Sequence, residues 1–117
     1  STSNDWQTLK SVLYDVEKSA TATVSVTGDG MQSAIEVSGQ YTSASGNATK
    51  ETSVTINVTP DFNDAYILIM KDKDIVANGS GSLNYTINSL SEGPNPYSIV
   101  VTCANDKHKY EITITGV

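Results

Sequence analysis

Tyr97-Ser98-Ile99-Val100-Val101-Thr102-Cys103 and Tyr110-Glu111-Ile112-Thr113-Ile114, joined by residues 104–109, decide how this chain folds. Tyr97, Ile99, Val101 and Cys103 occupy every second position, as do Tyr110, Ile112 and Ile114. Successive side chains of a strand point to opposite faces, so each run predicts a strand with one apolar face. Asn105-Asp106-Lys107 is the polar join between them, the strongest hairpin signal in the chain.

The same period of two extends backward. Ala20–Thr27 alternates small or apolar residues with hydroxyls, and Ile35-Glu36-Val37 leads through Gly39 to Tyr41. Val54, Ile56 and Val58 alternate with Thr55, Asn57 and Thr59; Leu83, Tyr85 and Ile87 alternate with Asn84, Thr86 and Asn88. With Tyr66–Met70 these make seven expected strands. Gly28-Asp29-Gly30 suits a tight hairpin, Pro60 ends a strand, and Gly93-Pro94-Asn95-Pro96 predicts a turn. Ser43–Asn47 and Asn78–Gly81 read as small, polar, flexible loops. Seven short alternating strands predict an all-β, two-sheet antiparallel sandwich over residues 20–117.

Residues 1–19 are expected to form a separate N-terminal helix or linker segment. Trp6, Leu9, Val12 or Leu13, and Val16 recur at helical spacing, and Asn4 with Gln7 resembles a capping box. An amphipathic helix over residues 5–18 follows, with a strand as the competing reading because Val12, Tyr14 and Val16 also alternate.

Composition narrows the function. The chain has 117 residues, seven Lys and 13 acidic residues, for a net charge of −6. A nucleic-acid partner needs a cationic stripe that displaces counterions, so none is expected. Tyr66–Met70 is the longest apolar run, far short of the roughly 18–20 residues that span a bilayer. About a quarter of the residues are Ser or Thr, and the one cysteine, Cys103, has no partner for an internal disulfide. Neutral hydroxyls and amides in place of charge are a habit of extracellular structural domains, so an extracytoplasmic location, cell-surface or secreted, is expected. With no Met at its start and no signal-peptide pattern, the chain reads as a processed piece of something longer.

Sites of chemistry are sparse. His108, the only histidine, lies between two lysines and reads as solvated. Cys103 shares the inward parity of its strand and reads as a small core residue. One His and one Cys cannot assemble a zinc set, and no phosphate loop or nucleophile elbow is present. No enzyme activity and no cofactor are expected. Asp61 and Asp64 in one loop, and Asp72 and Asp74 in another, offer the hard oxygens that Ca²⁺ takes. Their spacing is not that of an EF-hand and acidic loops are ordinarily solvated, so no metal is assigned. Tyr41, Tyr85, Tyr97 and Tyr110 share inward parities, which leaves few aromatics for a sugar-stacking platform. Asn47, Asn57, Asn78 and Asn84 open N-x-Ser/Thr sequons and are candidate glycosylation acceptors, a number mildly above chance in so polar a chain.

Tyr66, Ile67, Leu68, Ile69 and Met70 stand out because the run is apolar on both faces, whereas a half-exposed strand is apolar on one. A second apolar face needs cover from within the chain or from a partner, and these five residues are the candidate interface.

Gly93–Thr102 followed by Lys109-Tyr110-Glu111-Ile112-Thr113-Ile114 carries a resemblance. Ser53–Val117 resembles the second half of bacterial cadherin-like or immunoglobulin-like sandwich modules, which implies an immunoglobulin-like sandwich behind the N-terminal helix. The whole organisation, a short helix feeding a Ser/Thr/Asn-rich sandwich with sequons, also looks like the ectodomain of an archaeal pilin-like protein. That family includes archaellins and the stator proteins that tie the archaellum to the S-layer. The resemblance implies filament or anchoring contacts, with the membrane met only through a segment outside this chain. The function expected is therefore a non-enzymatic structural or protein-interaction module of a cell-surface protein or filament. Its partner is a surface protein or a second copy, and the alternative is a glycan- or calcium-binding adhesion module.

Overall fold

The computed structural model describes residues 18–117. Among the described residues nine strands follow one another: β1 (Ala22–Thr27), β2 (Ile35–Ser38), β3 (Ser43–Ala48), β4 (Val54–Pro60), β5 (Tyr66–Lys71), β6 (Asp74–Ser80), β7 (Leu83–Ile87), β8 (Gly93–Cys103) and β9 (Asp106–Gly116). They form a four-stranded sheet, β2-β1-β4-β7, and a five-stranded sheet, β3-β9-β8-β5-β6. The alternation in the sequence shows why the two sheets share one core. Val24, Val26, Ile56 and Val58 face inward from the first; Ile67, Ile69, Ile99, Val101, Ile112 and Ile114 face inward from the second, all buried in one cluster. Each fully buried aliphatic side chain contributes about 1.5–3 kcal/mol.

Three expectations are corrected. The expected seven-stranded, wholly antiparallel sandwich is a nine-stranded domain, and β3 runs parallel to β9. The added strands are β3, which takes up the expected loop Ser43–Asn47, and β6, which ends in the expected loop Asn78–Gly81. Ladder hydrogen bonds need only backbone, and small side chains suit β3 because it lies close to β2. A Cβ on Gly46 would stand 2.6 Å from Ser33 Oγ and 2.7 Å from Ile35 Cγ1. The expected Gly93–Pro96 turn is instead the first part of β8, paired with β9 from Gly93↔Gly116 onward. Pro94 and Pro96 fit there because β5 pairs with β8 only over Ser98–Thr102, so their missing N–H groups cost no bond on that side. The tight hairpin expected at Gly28–Gly30 is a longer connection over residues 28–34.

The expected helix over residues 5–18 lies outside the described residues apart from Lys18, and the described residues contain no helix. Lys18–Thr21 enter the domain beside the β8–β9 hairpin, where Ala20 N donates to Asp106 Oδ2 at 2.8 Å. Val117 lies at the other end of β9, held by Val117 N to Ala48 O and Lys50 N to Val117 O.

Two buried polar groups tie the elements together. The Tyr110 hydroxyl donates toward the carbonyls of Gly39 (2.7 Å) and Ala22 (3.1 Å) and accepts from Ala22 N (2.9 Å). It thereby pins β1 and the β2–β3 connection to β9. Asn95 Nδ2 reaches the carbonyls of Ser91 and Gly93, both at 2.9 Å, and of Ile114 at 3.1 Å.

Candidate functional site

Strand β5 divides its apolar residues between two faces. Ile67 and Ile69 are fully buried in the core, whereas Tyr66, Leu68 and Met70 alternate onto the outer face of the five-stranded sheet. Register extends that face. Val100 lies opposite Leu68 from β8, and Ile75 lies opposite Met70 from β6. A shift of register after Ile69 makes the second pairing, since a bulge re-aims the residues beyond it. Tyr66 is 43% exposed and Ile75 54%, with Leu68, Met70 and Val100 partly covered between them. The result is an apolar strip on the outer face of the sheet, running from β8 across β5 to the edge strand β6.

Polar groups border the strip on both sides. On β9, Lys107 pairs with Thr102, Lys109 with Val100, and Glu111 with Ser98. Lys109 Nζ lies 3.3 Å from Glu111 Oε1 in an exposed ion pair. On β6, Asn78 faces Leu68 and Ser80 faces Tyr66. The two-sided run at Tyr66–Met70 was visible in the sequence; the contributions of Val100 and Ile75 come from register, with only the run Ile99-Val100-Val101 as a local hint.

The four sequon asparagines occupy different surroundings. Asn47, Asn78 and Asn84 are exposed on β3, β6 and β7, each an edge strand of its sheet. Asn57 lies on central β4, half-buried, and its amide donates to Thr27 Oγ1 at 2.9 Å and to Thr55 O at 3.4 Å.

The acidic candidates are split between the two ends of β5. Asp61 and Asp64 precede it, and Asp72 and Asp74 follow it, with the six-residue strand between. Asp61 accepts a hydrogen bond from the Thr21 hydroxyl. Lys18 Nζ donates to Asp64 Oδ2 at 2.6 Å, the lysine side chain being 12% exposed and the aspartate 59%. Together with Asp106 these carboxylates hold the segment Lys18–Thr21 against the domain. Among the described residues no group of three or more His, Cys, Asp or Glu is placed to hold a metal ion.

Lys18 holds the Asp64 carboxyl below its ordinary pKa, chiefly by its hydrogen bond. A carboxyl whose pKa falls on folding stabilises the fold at neutral pH, and that contribution disappears as pH drops through the folded value. Asp64→Asn is therefore expected to lower the urea midpoint slightly at pH 7, and the two proteins converge by about pH 2. A constant difference across that range would refute the linkage.

Cys103 is buried, its thiol 3.7 Å from Asp64 Oδ1. Burial first, then the neighbouring carboxylate, pushes the thiol pKa up, the opposite of an activated nucleophile. His108 is half-buried, with Nε2 2.9 Å from the Tyr41 carbonyl and its ring edge-on to Tyr110 at 4.4 Å. Tyr97 and Tyr110 are buried and Tyr85 partly so. Tyr41 departs from its expected inward parity, because β2 ends at Ser38 and leaves it in the connection to β3, 78% exposed.

The chain matches no protein-family model, no curated protein and no solved structure.

Proposed function

We propose that this domain is a non-enzymatic, extracytoplasmic structural module that docks a second copy of the chain through the outer face of its five-stranded sheet. The strip formed by Tyr66, Leu68, Met70, Ile75 and Val100 carries the reading, because a contiguous exposed apolar patch marks an interaction surface. Lys107, Lys109 and Glu111 border it on β9, so a second copy brings both ammonium and carboxylate groups to the rim. Exposed sequons and a hydroxyl-rich surface support the extracytoplasmic location. Kinship with immunoglobulin-like or cadherin-like surface modules draws on the motifs of residues 93–114, and kinship with archaeal pilin-like ectodomains on architecture alone.

Light scattering on a size-exclusion column, across a concentration series, tests the interface. The unglycosylated chain is expected to gain mass toward a dimer as concentration rises. Leu68→Lys with Met70→Lys is expected to stay monomeric and keep its melting temperature within a few degrees. A chain that stays monomeric throughout, or a double variant that associates equally well, would sink the proposal.

A second reading, glycan binding, draws on the outer face of the four-stranded sheet. Thr23, Ser25, Thr27, Thr55, Asn57, Asn84 and Thr86 form an uncharged array of hydroxyls and amides there. Several already satisfy one another, as Thr55 does with Thr86 at 3.0 Å, which lowers their value for a ligand.

A further inference from the structure

We propose that Asn78 is an N-glycan acceptor and that its glycan lies over the apolar strip of β5, so that glycosylation and docking of this face exclude one another. The exclusion rests on the docking reading above; the site and the covering do not.

The sequon Asn78-Gly79-Ser80 lies on β6, an edge strand that pairs only with β5 among the described residues. Asn78 and Ser80 are both exposed. Their register is the decisive observation, since Asn78 stands opposite Leu68 and Ser80 opposite Tyr66. Directly opposed residues on one face have Cβ atoms about 4.5–5.5 Å apart, so a group built on Asn78 Nδ2 begins beside the strip. A pyranose ring has a C–H face that packs on apolar and aromatic side chains, and Leu68 and Tyr66 present both. The glycan would remove from water the patch that this sheet otherwise leaves exposed.

No other sequon meets these conditions. Asn84 lies in the other sheet, and Asn47 lies on β3, separated from β5 by β9 and β8. Asn57 lies between two strands with its amide engaged by Thr27 and Thr55.

The transfer consumes a lipid-linked oligosaccharide. The Asn78 side-chain nitrogen forms a bond to the anomeric carbon as that carbon's bond to the lipid phosphate oxygen breaks. The amide loses one proton, and the lipid phosphate departs with the bonding pair.

The test uses the chain secreted from a glycosylating eukaryotic host beside the unglycosylated chain from bacteria. Glycopeptide mass spectrometry is expected to find Asn78 occupied. Nitration of Tyr66 by tetranitromethane, read on the same peptides, is expected to slow severalfold in the glycosylated chain and to recover in Asn78→Gln. Asn47→Gln and Asn84→Gln are expected to leave Tyr66 protected. By light scattering, Asn78→Gln should regain the association of the bacterial chain, and the other two variants should not. An unmodified Asn78 beside an occupied Asn47 or Asn84 overturns the site, and unchanged Tyr66 nitration overturns the covering. Equal association of glycosylated chain and Asn78→Gln overturns the exclusion. Failure of even the bacterial chain to associate overturns the docking reading and the exclusion with it, while occupancy and nitration still decide the glycan's place.

Discussion

Asn95→Asp is expected to destabilise the domain by about 3–5 kcal/mol, the range for a buried charge left uncompensated. Asn95 is 5% exposed, and its side-chain nitrogen points at the carbonyls of Ser91, Gly93 and Ile114. The substitution exchanges a donor for a second acceptor of nearly the same shape. A carboxylate in that place faces three carbonyl oxygens and loses the bonds that fasten the β7–β8 connection to β9. Whole-domain stabilities are roughly 5–15 kcal/mol, so this one atom decides a large part of the total. Urea unfolding at pH 7 measures it, and a midpoint equal to the parent protein's would refute the role assigned to Asn95.

Ile67→Lys is expected to abolish folding, while Leu68→Lys, one residue along the same strand, leaves it intact. Ile67 is fully buried between the sheets. Truncating a buried isoleucine alone costs about 2–5 kcal/mol, and an ammonium group without a partner adds several more. Leu68 points the other way, where a lysine joins Lys107 and Lys109 on a solvated face. Proton NMR dispersion separates the two outcomes in a single spectrum for each variant. Dispersed spectra from both would mean that the register assigned to β5 is wrong.

The contrast within β5 also marks how far the sequence could be read. Alternation placed Ile99, Val101, Ile112 and Ile114 on inward faces, because a half-buried strand writes its orientation into every second residue. Ser43–Ala48 carries no such signal; its pairing with β9 is a matter of backbone and of the room that Gly46 leaves for Ile35. Pro94 and Pro96 gave a misleading turn signal, since whether proline is tolerated in β8 depends on where β5 stops pairing. The run Tyr66–Met70 announced an apolar excess, but a run apolar on both sides cannot say which side is core. Ile75 and Val100 entered the strip through a bulge and a neighbouring strand, which are non-local facts. The three carboxylates that hold Lys18–Thr21 come from the β4–β5 connection and from the first residue of β9, and nothing near residue 18 pointed to them.

The opposite placement of Lys18 and Val117 has a mechanical consequence. Tension applied between these two points acts along the eleven residues of β9. The ladder bonds that β9 shares with β3 and β8 then lie across the line of pull and are loaded together in shear. A hairpin peeled from one end would instead break its bonds in turn. Ala48 and Lys50, gripping Val117 at the last rung, and Asp106, gripping Ala20 at the first, are where such a load enters and leaves the sheets.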